Sequence, residues 1–243
     1  MKQDRTALTN KLHWESKLNL ASRSAWALIA FAFITAGVPA CKSLNKTQKG
    51  AMIGTAGGAA VGAGVGKAAG NTAVGAIIGA AVGGVTGGLI GRKMDKQAQE
   101  MEQIPGAEVK RVGEGINVTF DSGVLFGFDQ SGLTSDASEK VTQLAAILKK
   151  YPDTYIRIEG HTDDVGEAGY NNRLSKRRAQ AVADFLKTQQ IDGSRIRTAW
   201  YGEDQPKFDN SNEENRAKNR RVEFAIYANE KMVEDAKKEA GNQ

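Results

Sequence analysis

Between residues 50 and 91 the chain repeats glycine every fourth residue, with a single five-residue step. The series runs Gly50, Gly54, Gly58, Gly62, Gly66, Gly70 and then Gly75, Gly79, Gly83, Gly87, Gly91, with Ala, Val and Ile filling most gaps. Glycine costs a helix about 1 kcal/mol relative to alanine, so so many in register are not filler. On a helix, a four-residue step keeps them on one slowly turning face without side chains. Another helix backbone can approach such a face closely. The long step at Gly70, Asn71 and Thr72 reads as a turn. It divides the series into an antiparallel helical hairpin with arms of roughly 20 residues, each about 30 Å long. The second arm carries no charge from Asn71 to Ile90. A flexible Gly/Ala spacer is the competing reading, because low complexity alone favours one. Strict spacing argues against it, since a flexible linker has no need of register.

The ladder resembles the glycine-zipper segments of bacterial envelope proteins, which implies membrane insertion or self-association. What precedes it fits such a place. Five basic residues (Lys2, Arg5, Lys11, Lys17, Arg23) lead into an uncharged run from Ser24 to Cys41, strongly apolar between Ala25 and Val38. A basic region, a short apolar stretch and small residues at a cleavage point make a secretory signal peptide. The run ends in Val38, Pro39, Ala40 and Cys41, which is similar to the lipobox of bacterial lipoproteins. Pro39 and the long basic region depart from that pattern. The likeness implies that residues 1–40 are removed and that Cys41 is acylated. Each buried CH₂ of an acyl chain contributes about 0.8 kcal/mol to membrane anchorage. Lys42, where an Asp would signal inner-membrane retention, implies the outer membrane. An uncleaved anchor is the alternative, since the 18 uncharged residues are borderline for a span.

Cys41 is the only cysteine, so no intramolecular disulfide can form. The formal net charge is +5, and the leader supplies more than half of it. A basic leader is not a nucleic-acid footprint, and no nucleic-acid partner is expected.

The C-terminal half has the patterning of a domain. Ile116, Val118 and Phe120 alternate with polar residues, as in a strand. Leu125 to Asp129 is a second short apolar piece. Asp136 with Glu139 reads as a helix cap, and Ala137, Val141, Leu144, Leu148 and Tyr151 follow at helical spacing until Pro152. Ile156 and Ile158, with Arg157 and Glu159 opposite, make a strand that leads into the polar loop Gly160 to Gly166. A helix from about Asn172 to Gln189 has Leu174, Ala181, Val182 and Phe185 as its apolar stripe. One charge breaks that stripe: at 100° per residue, Arg178 falls about 40° from Leu174. A buried charge is costly unless paired. The loop offers Asp163 and Asp164 for a structural ion pair with Arg178; the other reading makes Arg178 part of a carboxylate-binding site at the helix N-terminal half. Strands near Ile196–Tyr201 and Arg221–Tyr227 complete the set. The fold class is α/β (α+β), with helices packed on a small mixed sheet, preceded by the Gly-rich hairpin and the signal peptide.

Several strings together identify a family. Gly160 to Gly166 (GHTDDVG), Asn171, Leu174 to Val182 (LSKRRAQAV), Trp200 to Pro206 (WYGEDQP) and Asn219 to Phe224 (NRRVEF) come in order, after Phe126 to Leu133 (FGFDQSGL). They resemble the OmpA-like peptidoglycan-binding family, over roughly residues 113–229. Gln130 and Trp200 depart from its usual residues. The resemblance implies binding of the diaminopimelate of the peptidoglycan stem peptide, with Asp163 on its amine and Arg178 on its carboxylate. It implies further site residues at Phe128, Asp129, Thr162, Asn171, Leu174, Ser175 and Arg221. No cofactor and no metal is implied.

Expected organisation is therefore a signal peptide at 1–40, lipid attachment and a short tether at 41–49, a glycine zipper at 50–91, and a linker at 92–112 with room for a short helix. The binding domain at 113–229 and a polar tail at 230–243 follow. Such a chain would tether the outer membrane to the wall, held in membrane lipid through acylated Cys41, with its C-terminal domain in the periplasm. The alternative makes the zipper a self-associating pore or stator and the domain its anchor. An enzyme is not expected: His161, Asp163 and Asp164 make a thin metal site, and the other histidine, His13, is in the leader.

Overall fold

Period-two alternation builds a five-stranded sheet: β1 (Ala107–Val112), β2 (Gly115–Asp121), β3 (Thr154–His161), β4 (Ile196–Gly202) and β5 (Arg221–Ala228). The spatial order is β1-β2-β5-β3-β4, with β3 and β4 parallel and the other neighbours antiparallel. The computed structural model describes residues 71–242. The leader, Cys41 and the first zipper arm lie outside the described residues.

Seven helices are described: α1 (Thr72–Gly79), α2 (Gly84–Met101), the single turn α3 (Ser122–Leu125), α4 (Ser135–Lys150), α5 (Ala168–Thr188), α6 (Glu213–Asn219) and α7 (Glu230–Gly241). α4 begins at Thr134, whose hydroxyl accepts from the Ala137 N–H at 3.1 Å. The expected cap, Asp136, lies two residues further on, inside the first turn of the helix. Thr134→Ala should cost about 1 kcal/mol, read as a lower denaturant midpoint at unchanged slope.

The core lies on one face of the sheet. Ile116, Val118 and Phe120 of β2, Ile156 and Ile158 of β3, and Val222, Phe224 and Ile226 of β5 meet the apolar stripes of α2, α4, α5 and α7. Phe120 and Phe224 pack edge-on with centroids 5.9 Å apart. On α5 the buried set is Asn171, Leu174, Ser175, Arg178, Ala179, Val182, Ala183 and Leu186. Ala181 and Phe185, expected at the centre of the stripe, lie at its margin. Arg178 is buried on that face, as its phase requires.

Three segments differ from expectation. The second zipper arm is two helices, not one, broken at residues 80–83. Among the described residues no helix is long and apolar enough to cross a membrane. Residues 92–112, expected as a linker, hold the C-terminal half of α2 and all of β1, which pairs with β2 from Ala107↔Phe120 to Val112↔Gly115. The polar tail is a packed helix, α7, with Met232, Val233 and Ala236 buried.

Sheet and helix also approach closely beside the loop that follows β3. A Cβ on Gly160 would stand 2.2 Å from the Ser175 carbonyl oxygen. Only glycine lets β3 carry its next residues under the N-terminal half of α5.

Candidate functional site

A cleft of about 560 Å³ opens where four segments converge: the end of β3 with its loop, the first half of α5, the α3 turn with residues 126–129, and the start of β5 with α6. Asp163 sits in it, buried, with its carboxylate ion-paired to Arg220 and accepting from the Val165 N–H at 3.2 Å. Arg178 enters from α5, also buried. Its Nε donates to the Gln130 carbonyl at 2.9 Å, and its guanidinium lies over the Phe126 ring, 5.2 Å from the centroid. Burial pulls the Arg178 pKa down, and the Asp129 carboxylate pushes back. Its terminal nitrogens form no hydrogen bond with a described residue, and Arg178 lines the cleft. A carboxylate and a guanidinium thus line one cleft.

The other expected residues divide into lining and framework. Thr162, Asn171, Leu174, Phe128 and Asp129 line the cleft. Asn171 acts mainly as a staple: its amide donates to the carbonyls of Asp163 and Val165 and to Glu203. Phe128 is fully exposed at the rim. Asp129 beside it has φ +55 and accepts from the Tyr170 hydroxyl at 2.5 Å, a bond that pushes the Tyr170 pKa up. The buried hydroxyls of Thr162 and Ser122 have no partner.

Ser175 and Arg221 stand apart from the cleft lining. Ser175 ties α5 to β4, its hydroxyl donating to the Asn172 carbonyl and accepting from the Gly202 N–H at 3.0 Å. Arg221 is 1% exposed and points to the rear face of the sheet, where its Nε donates to Glu223 at 2.6 Å. Its neighbour Arg220 takes the place expected for it, together with Glu213, which pairs with Arg220. Strand alternation carries the signal that was missed. Val222, Phe224 and Ile226 face the helices, so Arg221 faces away and Arg220 faces the helix side. Tyr170 is a further lining residue that the strings did not mark.

His161 is not in the cleft. It is fully buried, stacked on Tyr201 with centroids 5.4 Å apart, and burial holds its pKa well below 6.5. Among the described residues no cluster of three or more His, Cys, Asp or Glu could hold a metal.

The fold and the cleft define a sheet-and-helix binding domain with a charged slot at one end. The OmpA family model matches residues 125–220, and a YMGG-like Gly-zipper model matches residues 22–95. Outer membrane porin F of Pseudomonas aeruginosa is 42% identical over 121 residues, covering 49% of this chain and 34% of the porin. Outer-membrane lipoprotein YfiB of the same organism is 35% identical over 115 residues, covering 47% of this chain and 68% of YfiB. Peptidoglycan-binding protein ArfA of Mycobacterium tuberculosis is 38% identical over 111 residues, covering 46% of this chain and 34% of ArfA. The chain thus spans about a third of the length of porin F and of ArfA. It belongs to the OmpA family, with a glycine-zipper segment before the family domain.

Proposed function

We propose that this chain binds peptidoglycan through the diaminopimelate of the stem peptide and ties the outer membrane to the wall. The observation that carries the reading is one cleft lined by both Asp163 and Arg178, with the Arg178 terminal nitrogens free of any described hydrogen-bond partner. The free end of diaminopimelate carries an ammonium and a carboxylate on one carbon. Asp163 takes the ammonium and Arg178 the carboxylate, by charge-assisted hydrogen bonds. Phe128, exposed at the rim, shields the mouth. ArfA, a relative over this same segment, is named for peptidoglycan binding. YfiB is named an outer-membrane lipoprotein, which supports acylation at Cys41 and a periplasmic position for the domain.

Ligand chemistry is tested with the full chain in detergent and purified sacculi. The protein should sediment with diaminopimelate-type sacculi and not with lysine-type sacculi, whose side chain ends in an amine without a carboxylate. Free meso-diaminopimelate should displace it. Cadaverine, which lacks carboxylates, and pimelate, which lacks amines, should not. Equal sedimentation with both wall types would sink the assignment.

A further inference from the structure

The outward side of the α1–α2 corner carries apolar side chains that no described residue covers. α1 lays Ala73, Ala76, Ile77 and Ala80 on Ala225 and Tyr227 of the sheet. Helical phase puts Ile78 on the other side of α1, where it is 59% exposed. The chain then turns at Gly83 and Gly84, with φ +71 and +65, and Val85, in the first turn of α2, is 63% exposed. Ala81, Gly83, Gly84 and Gly88 are exposed around them. The corner is a built turn: the Glu114 carboxylate accepts from the Val82 and Gly83 N–H groups at 2.7 and 2.6 Å. Single exposed apolar residues need no explanation. Here two stand at one corner of a stretch that has no Asp, Glu, Lys or Arg between Asn71 and Gly91.

Beyond the corner the same face of α2 becomes basic. At 100° per residue, Arg92 and Lys96 fall within about 20° of Val85, and Lys93 about 80° away. All three are exposed. The neighbouring acids are engaged elsewhere: Asp95 pairs with Arg111, Glu100 with Lys150, and Glu114 holds the turn. The helical rise sets Arg92 and Lys96 about 10 and 16 Å behind Val85 along α2. An apolar tip with cations two to three turns behind it fits a lipid surface, where the tip enters the hydrocarbon edge and long basic side chains reach the phosphates.

Its place in the fold agrees with such a partner. Ile77 of α1 lies against Gly115 at the start of β2, where a Cβ would stand 2.5 Å from the isoleucine side chain. Ser122, just past the end of β2, lines the cleft. Corner and cleft are thus at opposite ends of one strand, about 20 Å apart along it. We propose that the α1–α2 corner docks on an anionic phospholipid surface, with Ile78 and Val85 in the hydrocarbon edge and Arg92, Lys93 and Lys96 on the headgroup phosphates. The contact lies on the surface without crossing it: among the described residues no helix is long and apolar enough to span. Docking directs the cleft away from the lipid and does not depend on what the cleft binds. Each basic residue near an anionic surface is worth about fivefold in binding, so the three together give about a hundredfold preference for anionic over neutral lipid.

The full-length Cys41→Ser chain has no thiol, so Val85→Cys in it takes a single environment-sensitive fluorophore. The labelled chain is reconstituted in vesicles of phosphatidylcholine with or without phosphatidylglycerol, with and without doxyl-labelled lipid. On vesicles with phosphatidylglycerol, doxyl lipid should quench this label at least threefold more than a label at Gln143→Cys, an exposed position of α4. Ile78→Cys should behave as Val85→Cys. Arg92→Gln with Lys93→Gln and Lys96→Gln should reduce the quenching to its level on phosphatidylcholine alone. A label that is blue-shifted yet untouched by doxyl lipid would mean that protein covers the corner, whether the first zipper arm or a second copy, and would overturn the proposal. Equal quenching at positions 85 and 143 would overturn it too, as would quenching indifferent to the three charges. An unchanged urea midpoint shows that each labelled chain is folded, and Ile78→Cys decides should Val85→Cys fail that control.

Discussion

Arg178→Ala should weaken binding of the full chain to diaminopimelate-type sacculi by about tenfold to a hundredfold. Hydrogen bonds to charged groups contribute roughly 1.5–3 kcal/mol each, and about 1.4 kcal/mol is a factor of ten. Arg178→Lys should recover only part of this. An ammonium keeps the charge but cannot present two parallel donors to a carboxylate, and it gives up the Nε contact to the Gln130 carbonyl. Asp163→Ala should lower sacculus binding comparably, with a difference that tests the site. Asp163 is one of two carboxylates paired with Arg220, so its removal makes the cleft more positive. Pimelate should then compete better than it does against wild type, while meso-diaminopimelate competes worse. Titration of bound protein against each competitor measures both. If pimelate gains nothing in Asp163→Ala, the two charges do not act on opposite ends of one ligand group.

The two halves of this site were legible for different reasons. Arg178 could be found from the residues alone, because a charge at the phase of Leu174 and Val182 has to be explained on any helix. Asp163 could not, since Asp164 beside it offers the same chemistry; only the family strings chose between them. The structure supplies the physical difference. Asp163 is buried against Arg220, while Asp164 is exposed. Arg220 lines the cleft and Arg221 does not. Alternation along Val222, Phe224 and Ile226 already assigns the two arginines to opposite faces.

Tertiary context decided the rest. Ala107 to Val112 alternates weakly and its polar positions are charged, as suits an edge strand, so it read as linker. Its partner β2 and the short turn at Gly113 and Glu114 make it a strand. The zipper arm looked continuous because period four is blind to what lies across from it. Gly83 can turn with positive φ, and the sheet offers Ala225 and Tyr227 as an alternative partner. A consequence follows for any fragment. A chain beginning at residue 113 would lack β1 and α2, whose Leu89, Ile90, Met94, Ala98 and Met101 belong to the core.

The adjacent arginines provide the second large effect. Arg221→Ala should destabilise the domain by about 3–5 kcal/mol, the range for removing one partner of a buried ion pair. Glu223 is 1% exposed and would retain only the Asn117 amide at 3.0 Å as a side-chain partner. The carbonyls of Asn219 and Gln205 would lose their guanidinium donors as well. Arg220→Ala removes a partly exposed side chain paired with Asp163 and Glu213, and it should cost clearly less than Arg221→Ala because water reaches the pair from the guanidinium side. Urea midpoints at constant slope separate the two. Combining Arg221→Met with Glu223→Leu should restore much of the stability lost in Arg221→Met alone, since apolar residues can replace a buried pair at little cost. The double substitution is then non-additive in the direction expected for partners. Sacculus binding should follow the opposite order: folded Arg221→Met with Glu223→Leu protein binds as wild type, whereas Arg220→Ala does not. A binding loss in the first and none in the second would place the cleft's second arginine on the wrong residue.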